Sequence, residues 1–255
     1  MRVIVSVALG LTLLSGTVLL AADQMQDSLA ALASEDSSAY SKAVKFLSKN
    51  RQQAEPSLVA LFHDTGKPEL ARLRAIKLLG DFGLTAAAGD IQQALKSGSE
   101  PNVAIRVQMV RALSKLGGEG AIIEYLNTHK ETSPAVNAAI AMSMQGRTDD
   151  DSKKALGYLL GIEDSRVFRA AVRAASKTYA PITGQSSNPS NPSPPPPPIE
   201  KAPPLSENNT SGKVAPTPGD RAILQALQAH RASTDPQTSQ QAAQLLDELS
   251  QHYHQ

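Results

Sequence analysis

Pro68, Pro101 and Pro134 are evenly spaced along the chain, at i, i+33 and i+66, and each opens a stretch that closes on a glycine: Gly83, Gly117 and Gly146. Proline suits the first turn of a helix, where its missing N–H has no partner to lose. Glycine suits the position just past a helix end. A helix bounded this way and recurring at one period predicts a repeat array. Such arrays bind partners through extended surfaces and seldom carry out chemistry.

Each long stretch follows a shorter apolar one. The short helices are expected over 56–63, 85–96, 120–127 and 151–161, and the long ones over 68–82, 101–116, 134–145 and 165–179. A first amphipathic segment, 37–50, places Ala43, Val44, Phe46 and Leu47 at helical spacing and reads as an N-terminal cap. Ser133, Asp164 and the run Asp149–Asp151 are expected helix caps. The third long helix is one turn short, because Gly146 follows Gly117 more closely than Gly117 follows Gly83.

The pairing resembles HEAT repeats, in particular the HEAT-like repeats of phycobilisome lyases. An Arg early in the long helix, small or apolar residues after it and a closing Gly carry the resemblance. These are Arg72 with Ala75, Leu78, Leu79 and Gly83; Arg106 with Met109, Ala112, Leu113 and Gly117; and Arg169 with Val172 and Ala175. Ala135 stands where the third helix should have its Arg. The resemblance spans about residues 40–180 and implies an all-α solenoid, a superhelix of helix pairs. It says little of function, since fold and function separate readily. Bilin-lyase chemistry gains no support from the residues and is the least expected reading.

Arg2 followed by the uncharged run Val3–Leu20 and Leu20-Ala21-Ala22 has the layout of a secretory signal cleaved after Ala22; the alternative is an uncleaved anchor. No cysteine is present, which removes thiol catalysis, thiolate metal sites and lipid attachment at a mature N-terminal Cys. A Cys-free exported helical chain fits the bacterial periplasm or envelope better than an oxidising extracellular setting. The formal net charge of +1 predicts no global attraction to nucleic acid, and stacking aromatics are scarce.

Twelve of the 17 prolines fall in 181–219, which predicts a solvated linker with a polyproline rod at Pro194–Pro198. Beyond it 220–231 and 236–254 read as two amphipathic helices, with Asp235-Pro236 as cap and first residue of the second. The pair is too small to fold alone, so its apolar faces need the repeat body, a second copy or another protein. The expected organisation is therefore a signal (1–22), a solenoid (23–180), a linker (181–219) and a C-terminal module (220–255).

No catalytic, cofactor or metal constellation emerges. His63, His129, His230, His252 and His254 form no ligand pattern, and Gly117-Gly-Glu-Gly120 lacks the Lys-Ser/Thr of a phosphate loop. The candidate surface is the row of second helices, which line the concave side of such arrays. Alignment sets Arg74 over Gln108, Lys77 over Arg111 and Asp81 over Lys115, and Arg166, Arg169, Arg173 and Lys177 form one stripe on the last long helix. Ile140 and Met144 fall where Arg111 and Lys115 stand one repeat earlier, an apolar interruption expected to be covered by the C-terminal pair or an external ligand, or turned into the core. The expected function is a non-catalytic protein-binding scaffold of the envelope. The alternative is an anionic-polymer or acidic-peptide binder using the basic groove.

Overall fold

The computed structural model describes residues 23–129, 131–183 and 215–254. They are helical, with no strand among the described residues, and the architecture is an all-α solenoid. The N-terminal apolar run and most of the proline-rich segment lie outside the described residues. Among the described ones no helix is long and apolar enough to cross a membrane. Two compact units are present, one ending at Ser143 and the other beginning at Met144.

The first unit starts with α1 (residues 23–30), which runs into a 3-10 turn, Ala31–Ala33. Seven helices follow: α2 (Ser37–Lys49), α3 (Arg51–His63), α4 (Glu69–Asp81), α5 (Ala88–Lys96), α6 (Val103–Lys115), α7 (Glu119–His129) and α8 (Pro134–Ser143). The period-defining prolines sit at slightly different places. Pro134 begins its helix, whereas Pro68 is the residue before α4. At the middle site Asn102 intervenes after Pro101, because its side chain caps α6 by accepting from the Ala104 and Ile105 amides. The glycines behave as expected of helix terminators: Gly83, Gly117 and Gly146 have φ of 65°, 76° and 76°, where a side chain would strain the backbone.

α3 packs on α4, α5 on α6, and α7 on both α5 and α6; the second helices α4, α6 and α8 stack on one another in order. A Cβ at Gly80 would lie 2.9 Å from the Ala112 Cα, so α4 and α6 approach to backbone contact there. Charged rungs stitch this stack. Arg72 donates to the Phe62 carbonyl and pairs with Glu100 at 2.5 Å. Arg106 donates to the Glu100 carbonyl and pairs with Glu131 at 3.0 Å. Burial works against ionised Glu131, but hydrogen bonds from Tyr125, the Ser133 amide and Arg106 outweigh it and hold the carboxyl below its usual range.

The second unit contains α9 (Asp150–Leu160), α10 (Ser165–Thr183), α11 (Pro218–Arg231) and α12 (Pro236–His254). Asp149, Asp164 and Asp235 cap α9, α10 and α12 as the sequence suggests. α9 packs on α10, α11 on α9 and α12, and α12 on α10. First helix thus stacks on first helix and second on second, the arrangement of the repeats in the first unit. The C-terminal pair is a further repeat packed on α9 and α10. α9 and α10 share a unit with α11 and α12, because Ile223, Leu227, Ala242, Leu245, Leu246 and Leu249 bury their side chains within it. The contact is close enough that a Cβ at Gly157 would lie 2.7 Å from that of Ala222.

One buried carboxylate ties all four of these helices together. Asp220 of α11 is 3% exposed. It accepts from Lys153 of α9 at 2.8 Å and from the Tyr179 hydroxyl of α10 at 2.5 Å, and Tyr253 of α12 also interacts with it. Asp220 closes a capping box with Thr217 as well. Burial raises its pKa, yet Lys153, Tyr179 and Thr217 hold it far below the ordinary carboxylate value. The last turn of α10 therefore meets the first turn of α11. The helices on either side of the proline-rich segment thus belong to one unit.

Candidate binding face

Burial along the second helices fixes a register that the prolines and glycines do not. Ala71, Arg72, Ala75, Ile76, Leu78 and Leu79 of α4 are buried, as are Ile105, Met109, Val110, Ala112 and Leu113 of α6, so that Ala71 is equivalent to Ile105 and Leu79 to Leu113. The next step along the array is shorter, and it matches Val136, Ile140, Ala141 and Met144 to Ile105, Met109, Val110 and Leu113. Ile140 and Met144 thus correspond to Met109 and Leu113, and both have 0% exposure. They are core residues, which corrects their placement on the groove. The spacing from Gly117 to Gly146 misassigned them because Gly146 stands beyond the end of α8 at Ser143 rather than closing the helix directly. The same register puts Asn137, not Ala135, in the place of Arg72 and Arg106, and its amide donates to the Glu131 carbonyl.

The register carries Val136 over to Val167 of α10 and then to Thr238 of α12, and the buried positions again coincide: Val167, Ala171, Ala174 and Ala175, then Thr238, Ala242, Leu245 and Leu246. Phe168 takes the place of Arg72 and Arg106, and its ring meets His230 of α11 at 4.6 Å. Arg169, the third arginine of the HEAT-like pattern, is one residue further on and exposed. It acts on Asp235, whose carboxyl is lowered first by the Thr238 hydroxyl and in part by the Arg169 charge.

With the register set, three further sets of equivalent positions follow. The first set is Arg74, Gln108, Ala139, Ala170 and Gln241. The second is Lys77, Arg111, Met142, Arg173 and Gln244. The third is Asp81, Lys115, Gly146, Lys177 and Glu248. Met142, not Ile140, is therefore the apolar break in the set of Lys77 and Arg111, and it is 39% exposed. The residues on α12 escape a sequence reading because the proline-rich segment interrupts the period. Removing it would have exposed the Gln241, Gln244, Glu248 spacing.

In the first unit this face is largely self-neutralised. Arg74 donates to the Leu32 and Ser34 carbonyls at 2.9 and 2.6 Å and lies 4.1 Å from the Tyr40 ring centroid, so it anchors the N-terminal end of the array. Asp81 takes both Lys77 and Lys115. Despite burial, those two partners lower its pKa, and the Asp81 hydrogen bond raises that of Lys77. The Asp81–Lys115 contact joins α4 to α6 at the positions that alignment superposes. Gln108 is half-buried and Arg111 is exposed with no ion pair among the described residues.

The second unit differs. Arg166, Arg169, Arg173 and Lys177 stand along α10; all four are exposed, and none forms an ion pair among the described residues. They rise along the helix over about 16 Å at 1.5 Å per residue. Between this stripe and α12 lies a groove of about 190 Å³. Arg169, Arg173 and Ser176 form one wall, Gln244 and Glu248 the other, and Gln241 and Leu245 reach in between. The Gln241 Oε1 is buried and has no hydrogen-bond partner among the described residues. Gln244 donates to Glu248 at 3.2 Å.

No protein-family model and no curated protein matches the chain. Two solved structures resemble it in backbone. An engineered protein of the Northeast Structural Genomics Consortium is 17% identical, with a TM-score of 0.43 over 90% of this chain and 97% of that one. A designed armadillo repeat protein, solved in complex with the peptide (KR)4, is 15% identical, with a TM-score of 0.46 over 87% of this chain and 97% of that one.

Proposed function

We propose that the chain is a non-catalytic scaffold that binds a protein partner through the outward face of its second helices, with α10 as the principal contact. The unneutralised stripe Arg166, Arg169, Arg173, Lys177 carries this reading. In the first unit Lys77 and Lys115 share Asp81, and here the four cations stand together with no ion pair among the described residues. The helix pairs of the second unit supply the surface, and the cations steer and select an acidic partner. The N-terminal layout of Arg2 and the apolar run after it supports export to a bacterial envelope.

The test is affinity capture from the native envelope with the wild-type chain and with Arg166→Gln/Arg169→Gln/Arg173→Gln/Lys177→Gln. The reading predicts proteins held by the wild type and lost in the variant, with release at high salt. Equal retention by both chains, or recovery of an enzymatic turnover by the purified protein, overturns it.

A further inference from the structure

We propose that the second-helix face of the first unit takes an amphipathic helix of another protein, laid across α4, α6 and α8 with an acidic residue beside its apolar stripe. This contact lies beyond the α10 stripe of the scaffold reading and stands independently of it. The register groups Leu70, Leu73 and Lys77 of α4 with Ala104, Val107 and Arg111 of α6, and these with Ala135, Ala138 and Met142 of α8. Each trio has i, i+3, i+7 spacing and so shares one helix face. Ala104 and Met142 are exposed, and the other apolar members are half-buried. Val103, beside Ala104, is 38% exposed. The exposed large hydrophobics among the described residues are Val103, Met142 and Tyr158, so two of the three fall at this face. Because α4 packs on α6 and α6 on α8, the trios adjoin as one strip. The fold does not demand apolar residues there. The same register reaches Arg166, Arg169 and Arg173 on α10 and Gln237, Gln240 and Gln244 on α12. The first two positions are thus apolar on all three helices of the first unit and polar on both of the second. A contiguous apolar strip with a charged rim marks an interaction surface.

The chemistry of the strip selects its occupant. Leu, Ala and Val side chains offer no hydrogen bonds, so an extended segment pressed on them would strand its backbone N–H and C=O groups away from water. A helix satisfies those groups internally and brings a stripe of apolar side chains to the contact. The rim adds charge. Lys77 and Lys115 share Asp81, whereas Arg111 between them is exposed with no ion pair among the described residues. A carboxylate flanking the partner's apolar stripe completes Arg111. The chain's own helices α11 and α12 are not free to supply that stripe, because Ile223, Leu227, Leu245 and Leu249 are buried in the second unit.

The test is a fluorescence anisotropy titration of the full chain with a labelled helical peptide carrying Leu along one stripe, Glu beside it, and Ala and Gln elsewhere. One control has the same residues in scrambled order, and another has proline at its centre, which breaks the helix. The amphipathic peptide is expected to bind and neither control to. Leu73→Gln/Val107→Gln gives both positions the residue type that α12 carries at Gln240, and should weaken binding by about tenfold or more. Met142→Gln, at an exposed position, should weaken it about threefold and repeats the test should the double variant melt early. Arg111→Gln should weaken it about two- to fivefold and leave a peptide with Gln in place of Glu unaffected. Arg169→Gln/Arg173→Gln in the second unit should change nothing. Absence of binding, equal binding of either control, or loss of binding in the α10 variant alone overturns the proposal. So does a dimer of the chain, seen by light scattering, that Leu73→Gln/Val107→Gln dissolves, because the occupant is then a second copy. Failure here alongside capture of a protein by the α10 stripe leaves the scaffold reading intact and removes only the helix-binding strip.

Discussion

Asp220→Ala should strip the C-terminal repeat of most of its specific hold. The carboxylate accepts from Lys153 and Tyr179 and closes the Thr217 capping box. Removing one member of a buried ion pair costs roughly 3–5 kcal/mol, chiefly because the other charge is left unpaired. The lower end applies here, since the Lys153 side chain is 12% exposed and can turn its ammonium outward. Loss of the cap adds about 1 kcal/mol, giving about 4 kcal/mol, a large share of the roughly 5–15 kcal/mol of a typical domain. Urea unfolding followed by circular dichroism measures it. A second variant, Asp220→Ala/Lys153→Met, should recover part of the loss because no charge is stranded. The pH dependence has a defined sign. The Asp220 pKa is depressed on folding, so its contribution is full above the unfolded value near 4 and is lost as pH falls through the folded value. The gap between wild type and Asp220→Ala should be constant from about pH 5 to 8 and narrow below about pH 4. A loss below about 1 kcal/mol, or equal losses for the single and double variants, would refute the reasoning.

Gly157→Val should wedge α9 from α11, since even a Cβ there meets the Ala222 Cβ at 2.7 Å and its backbone carbon at 2.9 Å; hydrophobic-dye binding should rise as Ile223 and Leu227 are uncovered. Deleting residues 216–255 should lower the thermal midpoint of the second unit and also raise dye binding, and an unchanged midpoint contradicts the docked repeat. Gly117→Ala should cost about 1–2 kcal/mol through backbone strain alone, because φ is 76° and nothing lies within 4 Å of the new Cβ, while Gly117→Asn should cost less. Arg106→Ala should destabilise the first unit by roughly 3 kcal/mol by stranding Glu131, which is 3% exposed. N-terminal sequencing of the protein from its native host should begin at Asp23, and a chain beginning at Met1 identifies an uncleaved anchor.

The helix pairs were legible because proline and glycine act locally: each helix end depends on a few residues, and Gly83, Gly117 and Gly146 adopt the conformation their type suggests. Register was less legible. The prolines are evenly spaced, yet Pro68, Pro101 and Pro134 occupy three different positions relative to their helices. Which side chain faces the core is set by packing between helices, and Ile140 and Met144 were misplaced for that reason. The joint around Asp220 was invisible for another. Lys153, Tyr179 and Asp220 are far apart in sequence, and an Asp in the first turn of a helix reads as local chemistry. The α10 stripe was legible since it lies on one helix; its opposite wall on α12 was hidden by the interrupted period.

The C-terminal repeat requires that α12 lie against α10 in solution. Hydrogen–deuterium exchange of the full chain measures this directly. Amides of α11 and α12 should be protected as strongly as those of α9 and α10 and should exchange with them as one cooperative unit. Exchange of α11 and α12 at the rate of an unstructured chain, with α9 and α10 still protected, would contradict the account.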